Sequence, residues 1–166
     1  MDRLPRSFFE RDAETVARDL LGCLLEVRSI AGNRICRIVE VEAYVGAHDL
    51  ACHASKGRTP RTDPMFGEAG HAYVYFVYGM HHMLNVVTGP VGDPQAVLLR
   101  GLETWPEAGN DRSFAGPAKL CKALGIATAT HNRMDVCGAE GISFLPRPVP
   151  VAARSVRRAP RIGVDY

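Results

Sequence analysis

The stretch Tyr73-Val-Tyr-Phe-Val-Tyr78-Gly-Met80-His-His-Met-Leu-Asn85-Val-Val87 decides the fold that we predict for this chain. It is rich in β-branched and aromatic residues and contains no acidic residue, lysine or arginine, a composition typical of strands. Gly79 lies near its middle and is the one residue there that adopts a positive φ freely. The stretch therefore predicts two strands joined at Gly79, which is a β-hairpin.

The side chains at the tip of this hairpin indicate that it contacts an apolar group of a binding partner. Tyr73 and Tyr75 should share one face, because alternate side chains of a strand point the same way. Tyr78 and Met80 flank the turn, and soluble domains rarely expose such groups together unless something apolar receives them. Stacked bases are one such target. The alternative is that Tyr78 and Met80 fold back onto the core, and the pattern leaves both open.

The composition fits one domain, with 166 residues of which 46% are hydrophobic. The net charge is only +2, but three of the 20 basic residues are lysine, which leaves 17 arginines. Arginine suits phosphate, so this bias favours an anionic partner. The five cysteines are an odd number without a CxxC pair, which fits a reducing compartment. No apolar run reaches roughly 18 residues, so we expect neither secretion nor a membrane partner.

Two segments carry helix signals. Residues 12–22 begin with Asp12 as a potential N-cap and end at a glycine. Residues 116–125 place a proline at the first helical position and a glycine at the end. The free N–H groups of this second helix, with Lys119, could bind an anion, although the same pattern is ordinary helix chemistry.

Short strands are predicted over most of the remaining chain. Residues 23–28 and 34–44 read as an antiparallel pair, residues 95–102 as another strand, and residues 142–145 and 149–153 as two short ones.

Charged residues interrupt two of these strands. Glu40, Glu42 and Tyr44 share one face of their strand. Burying an unpaired carboxylate costs free energy, so the two acids are either exposed to solvent or required for a chemical function. The pattern alone does not choose between the two acids. Arg100 interrupts an apolar run in the same way and needs an acidic partner. The neighbouring Glu103 is either that partner or a solvated residue.

The connection over residues 45–70 is long for a compact domain, and connections of this length are usually functional or disordered. It contains the basic run Lys56-Gly-Arg58-Thr59-Pro60-Arg61, whose donors suit phosphate oxygens. Ordinary surface is the alternative interpretation of this run.

Motifs in order over almost the whole chain resemble the alkyladenine (3-methyladenine) DNA glycosylase family. They are Glu42-Ala-Tyr44, Ala51-Cys-His53, Gly57-Arg58-Thr59-Pro60-Arg61, Met65-Phe66, Tyr73-Val-Tyr75, Tyr78-Gly-Met80, Asn85, Leu98-Leu-Arg100, Gly116-Pro117-Ala-Lys119-Leu and Arg161-Ile-Gly-Val164. The resemblance implies one α+β glycosylase domain over residues 1–166, with a curved antiparallel sheet, flanking helices and a protruding β-hairpin. It also implies an enzyme that removes damaged purines from duplex DNA without a metal or organic cofactor.

The residue types agree with this chemistry. Hydrolysis of an N-glycosidic bond needs a water at C1′ while the sugar becomes oxocarbenium-like, and a carboxylate can accept the proton and face the positive charge. Glu42 suits that role, and the resemblance implies that Arg100 and the backbone carbonyl of Ile162 hold the same water. Alkylated purines are cationic and leave readily, so one carboxylate suffices; for neutral lesions the sequence names no acid.

The resemblance also assigns the contacts with DNA. Tyr44, His53 and Tyr75 would surround a purine rotated out of the duplex, the Ala51 backbone would read its edge, and Asn85 would exclude guanine. The expected lesions are 3-methyladenine, 7-methylguanine, hypoxanthine and ethenoadenine. Tyr78 would fill the gap in the helix. Further candidate contacts to the backbone and groove are Met80, His81, Arg58, Thr59 and Lys119.

We expect a monomer that acts on double-stranded DNA, in the cytoplasm and nucleoid of a bacterium or in the nucleus of a eukaryote. The chain departs from the family pattern at Thr62, where asparagine is usual, in a short region between Glu103 and Gly116, and at its end, where an aromatic segment is missing. Two interpretations of the short region and the chain end remain open, a C-terminal truncation and missing segments.

Two other classes remain open. One is a DNA-binding module that recognises lesions without cutting and tolerates loss of Glu42. The other is a metal-dependent hydrolase, which would draw its ligands from His48, Cys52, His53, His81 and His82. Neighbouring histidines on a strand point to opposite faces and make a poor ligand pair, so we expect no metal.

Overall fold

A curled antiparallel sheet forms the centre of the computed structural model, which describes residues 2–107, 109 and 111–164. The strands are β1 (Leu24–Ser29), β2 (Gly32–Val45), β3 (Ala72–Val77), β4 (His81–Thr88), β5 (Gln95–Thr104) and β6 (Ile142–Leu145). They lie in the order β3-β4-β5-β2-β1-β6, and every neighbouring pair is antiparallel. This confirms the predicted α+β fold with a curved antiparallel sheet.

The strand β2 bends at its centre. It is 14 residues long, and its register against β5 shifts on both sides of Glu40. Such a bulge adds local twist and bends the strand that contains it. The bend lies two residues before Glu42, so it helps to set the direction in which this carboxylate projects.

Four short helices flank the sheet within the described residues: α1 (Arg6–Phe9), α2 (Ala13–Leu20), α3 (Pro117–Leu124) and α4 (Thr128–His131). Asp12 caps α2 by accepting a hydrogen bond from the Thr15 backbone N–H at 2.9 Å, and Gly125 ends α3 with φ 68°. Both predicted helices are confirmed. Among the described residues, no helix combines the length and apolar character needed to cross a membrane.

The predicted hairpin is confirmed as β3 and β4, with Val77 opposite His81. Gly79 has the expected positive φ, at 67°, and its neighbour Tyr78 also has a positive φ, at 54°. The Met80 N–H donates to the Val77 carbonyl at 3.1 Å and closes the turn. Two successive positive φ values are typical of type I′ turns, whose twist matches that of the flanking strands.

The chain after β6 is irregular, and the strand predicted over residues 149–153 is wrong. These residues form no strand, and the next ordered element is a single turn at Ala153–Ser155. Pro148 and Pro150 lack the N–H groups that a strand needs for pairing, which explains the failure. The predictions for the 103–116 region and the chain end fall partly on residues 108, 110, 165 and 166, outside the described residues.

Candidate active site

Glu42 is a buried carboxylate held on both of its oxygens. Its side chain is 6% exposed, and Arg100 Nη1 lies 3.2 Å from Oε2. The Tyr44 hydroxyl donates a hydrogen bond to Oε1. Charges are tolerated in such places only when partners satisfy them, and here an arginine and a phenol do so.

The structure separates the two acids that the strand pattern left equivalent. Glu40 also binds Arg100, with Oε1 3.0 Å from Nε, but its side chain is 54% exposed. Glu103 is not the partner of Arg100, as one alternative had it, because it forms its ion pair with Arg37. Arg100 therefore bridges an exposed and a buried carboxylate.

The three predicted catalytic positions, Glu42, Arg100 and Ile162, line one cavity of about 590 Å³. Glu42 and Arg100 come from the adjacent strands β2 and β5, whereas Ile162 comes from the irregular chain after β6. The Ile162 side chain is 72% exposed, so the residue forms part of the cavity rim.

A second, smaller hollow contains the predicted base-contacting rings. Its walls include Tyr44, His53, Tyr75 and Asn85, and its volume is about 20 Å³. That volume is close to what one water occupies, so a purine fits only after the rings move apart. Tyr44 lines the hollow, and its hydroxyl binds Glu42, which lines the larger cavity.

The rings of this hollow pack edge to face. His53 and Tyr75 have centroids 4.5 Å apart at 72°, and His53 Nδ1 lies 3.3 Å from the Tyr73 hydroxyl. Partial burial, with Arg61 nearby, lowers the pKa of His53 below its ordinary value. Burial raises the pKa of Tyr75 to about 12. These two rings are therefore uncharged at neutral pH, so they do not repel a positively charged ligand.

Tyr44 remains a proton donor across the physiological range. Burial, followed by its hydrogen bond to Glu42, raises the pKa of the phenol far above its ordinary value. The Tyr44 hydroxyl therefore keeps its proton for the carboxylate.

Hydrogen bonds hold Asn85, which lines the hollow, and Ala51, which lies two residues before His53 in the chain. Asn85 is 2% exposed, and its Nδ2 donates to the Tyr73 carbonyl at 3.0 Å, which fixes the orientation of the amide. The Ala51 backbone N–H donates to Asp49 Oδ1 at 3.1 Å. Both positions are thus held by hydrogen bonds.

The hairpin tip projects into solvent. Tyr78 is 87% exposed and Met80 is 68% exposed, so the alternative in which they fold back onto the core is wrong. His81, at the start of β4, is exposed as well.

Residues 7–166 match the family model described as methylpurine-DNA glycosylase. The chain belongs to this family. Its relatives include three proteins with the name "Putative 3-methyladenine DNA glycosylase". The relative from Myxococcus xanthus is 52% identical and is matched over 100% of this chain and 84% of its own length. Those from Methanocella arvoryzae and Legionella pneumophila are each 46% identical over 100% of this chain, and 86% and 88% of their own lengths.

Membership of the methylpurine-DNA glycosylase family confirms the resemblance and the predicted enzyme class. It follows from matches over nearly the whole chain, and not from the site geometry.

The remaining predicted DNA contacts of this glycosylase lie on separate elements. Arg58 Nε donates to Asp63 at 2.6 Å, and Asp63 also binds Arg133 at 2.6 Å. Thr59 is held within its loop, because its N–H donates to Thr62 Oγ1 at 2.8 Å. Thr62 thus stabilises the basic loop. Lys119 is exposed in the first turn of α3.

Sequence analysis missed several residues of the site. Tyr73 and Met65 also line the ring hollow, and strand alternation with Tyr75 was a signal that could have identified Tyr73. Asp49 and Arg161 form an ion pair across 112 residues of sequence, for which no local pattern exists. Within the part of the chain that the structure describes, no three His, Cys, Asp or Glu side chains are grouped to hold a metal ion.

Proposed function

We propose that this protein removes 3-methyladenine and related damaged purines from duplex DNA, using a water activated by Glu42. One observation carries the proposal: Glu42 is buried at 6% exposure, paired with Arg100, and adjacent to a cavity that also reaches Ile162. A buried, oriented carboxylate beside an accessible cavity is suited to general-base catalysis.

In the proposed reaction the carboxylate of Glu42 takes a proton from water, and the water oxygen forms a bond to C1′. The bond between C1′ and the base nitrogen breaks, and its electron pair leaves with the base. Arg100 and the Ile162 carbonyl hold the water on the side of C1′ opposite the base. The negative charge of Glu42 also stabilises the positive charge that develops on the sugar.

Charge selects the lesion in this proposal. Aromatic faces attract cations, so Tyr44, His53 and Tyr75 favour a purine that carries a positive charge over an ordinary one. The depressed pKa of His53 supports this selection, because a neutral imidazole does not repel the cationic base. Cationic 3-methyladenine and 7-methylguanine are the best substrates. Hypoxanthine and ethenoadenine are neutral and need protonation on the way to release.

Asn85 and Ala51 refine the selection. The fixed Asn85 amide crowds the exocyclic amine of guanine, a penalty that 7-methylguanine shares but offsets through the attraction of its positive charge to the rings. The Ala51 backbone reads the edge of the base. Both roles are supported by the hydrogen bonds that immobilise these two residues.

The purine must leave the helix before it reaches Glu42. We propose that Tyr78 occupies the vacated space, since it is 87% exposed at the end of a rigid hairpin. The side chain of Tyr44 or His53 then moves, because the ring hollow of about 20 Å³ is too small for a base. Contacts to the flanking backbone and groove come from Met80, His81, Arg58, Thr59 and Lys119.

The enzyme acts as a monomer and a single DNA glycosylase domain on double-stranded DNA. It works where chromosomal DNA is found, which is the cytoplasmic nucleoid in bacteria and the nucleus in eukaryotes.

The test is an incubation of the protein with duplex oligonucleotides that each carry one lesion, scored as strand breaks after alkali treatment of abasic sites. We expect release of 3-methyladenine and 7-methylguanine, slower release of hypoxanthine and ethenoadenine, and no release of normal guanine. Binding to the lesion duplexes without any abasic product would refute the proposed reaction.

A further inference from the structure

We define residues 148–164, the last part of the irregular chain after β6, as the C-terminal segment. Within the part of the chain that the structure describes, one side chain makes the hydrogen bonds between this segment and the rest of the domain, whereas Arg147, just before it, donates to the Asp19 carbonyl. Its backbone hydrogen bonds are local, such as Val164 N–H to the Arg161 carbonyl. Among the described residues, the hydrogen bonds that join it to other parts of the chain all come from the Arg161 guanidinium.

Arg161 binds three groups of the proposed site at once. Its Nη2 donates to Asp49 Oδ1 at 2.7 Å, and its Nη1 donates to Oδ2 of the same carboxylate. Nη1 also lies 3.3 Å from the Ala43 carbonyl. The guanidinium carbon is 5.2 Å from the centre of the Tyr44 ring, within the range of a cation–π contact. The arginine therefore connects the segment to both β2 and the following loop.

Asp49 is an interior anchor for that arginine. Its side chain is 3% exposed, and it also accepts hydrogen bonds from the Ala51 N–H at 3.1 Å and the Val45 N–H at 3.3 Å. The hydrogen bond from Arg161 lowers the pKa of Asp49, so the carboxylate is charged at neutral pH. Removing either member of a buried pair leaves the other uncompensated, so the two residues depend on each other.

We propose that the Asp49–Arg161 ion pair is a positioning latch for base release. It brings Ile162 to the cavity beside Glu42, and it fixes Tyr44 and Ala51 in the wall that receives the purine. Neither Asp49 nor Arg161 takes part in the bond changes. This inference rests on the proposed function, because it assigns the latch to the same site.

The first experiment measures base release and DNA binding separately. Arg161→Gln, Asp49→Asn and the double variant are compared with wild type in single-turnover release of 7-methylguanine from a duplex. We expect each to lose about 100-fold in the rate constant, as misplaced groups do, with little change in the Kd for DNA. The double variant should be no slower than the slower single variant, because both break one interaction.

The matched control is Arg6→Gln. Arg6 pairs with Asp135 at 2.8 Å, and its side chain is 26% exposed, as is that of Arg161. It does not line the cavity of Glu42. This variant also loses an arginine–carboxylate ion pair, although the Asp135 side chain is 43% exposed and that of Asp49 is 3% exposed. It should release the base at the wild-type rate.

The second experiment is independent of activity and uses hydrogen–deuterium exchange. Arg161→Gln should speed exchange of the Val164 amide, which donates to the Arg161 carbonyl, while the amides of the sheet stay protected and Arg6→Gln changes neither. Arg161→Lys keeps the charge but loses the forked geometry, so its release rate should fall between wild type and Arg161→Gln.

Each outcome decides the inference. Wild-type release by Arg161→Gln, or unchanged exchange in its C-terminal segment, would overturn the latch and leave the proposed function intact. If Arg161→Gln does not fold, Arg161→Lys and Asp49→Asn give the same comparison. Failure of wild type to release any lesion would overturn the proposed function, and the latch with it.

Discussion

The Glu42 end of the site and the tip of the β3–β4 hairpin are built in opposite ways. Glu42 is 6% exposed and bound by Arg100 and Tyr44. Tyr78 is 87% exposed, has an unfavourable positive φ, and makes no side-chain hydrogen bond to any described residue. The polar groups of Glu42 are paired within the protein, whereas the Tyr78 side chain is exposed to solvent.

The two regions need different surroundings for the roles that we propose for them. Charge stabilisation is strongest when the charged group is fixed before the substrate arrives, which favours burial and multiple partners. The wedge that we propose at Tyr78 must do the reverse, because contacts within the protein would have to break before it entered the duplex. The positive φ of Tyr78 is a strained conformation at the position to which we assign this role.

Glu42→Gln should have the largest effect. We expect the rate constant for 7-methylguanine release to fall by about 100- to 10,000-fold, the contribution of a general base, while lesion-duplex binding is retained. Glu40→Gln is the matched control, because Glu40 binds the same arginine but is 54% exposed. It should cost less than about fivefold, as exposed ion pairs do. Equal losses in both variants would contradict the distinction between the two acids.

Tyr78→Ala tests the other region and should have the next largest effect. Loss of stacking against bases should reduce the affinity for a lesion-containing duplex by roughly 5- to 150-fold. Phe76→Ala serves as the control, because Phe76 lies on the same hairpin at 45% exposure but packs on His82 at 4.8 Å. Titration of both variants with a fluorescent duplex gives the comparison. An equal loss for Phe76→Ala would mean that the hairpin acts only as a general surface.

The positive φ of Tyr78 predicts that glycine at this position is more stable than alanine, the reverse of the order expected within a strand. Tyr78→Gly should be more stable than Tyr78→Ala by about 1 kcal/mol in the free energy of unfolding, since glycine adopts a positive φ without penalty. At Phe76, in the strand itself, glycine should instead be less stable than alanine by about 0.5–1 kcal/mol. Urea denaturation of the four variants measures both differences. The same sign at both positions would exclude strain at Tyr78.

The smallest effect concerns His53 and pH. Because the folded-state pKa of His53 lies below its ordinary value of 6.5, the unfolded chain takes up this proton first as the pH falls. Folding stability should therefore decrease as the pH drops from 6.5 through the depressed pKa, and a His53→Gln variant should lack this component. An NMR titration of the His53 ring, together with denaturation at several pH values, tests the sign. A His53 pKa above 6.5 would contradict our proposal that this ring is neutral when the cationic base binds.

Local patterns predicted the helices at residues 12–22 and 116–125, the strands and the hairpin, because caps, glycine stops and alternation depend on near neighbours. The strand predicted at 149–153 was wrong, since its prolines cannot pair. The site residues followed from the resemblance to a known family, which strand alternation alone could not supply. It could not, for example, choose between Glu40 and Glu42.

By itself the sequence determined most of the helices and strands, the hairpin and the family, but not whether Tyr78 and Met80 at the tip are exposed. Only the tertiary structure decided that Glu42 is buried while Glu40 is exposed, that Arg100 joins them, and that Asp49 holds Arg161 across 112 residues. The reason is that backbone propensities act between neighbours, whereas burial and ion pairing depend on which distant segments the curled sheet brings together. The burial and the ion pairing of a carboxylate depend on residues from these distant segments, which come together only when the chain folds.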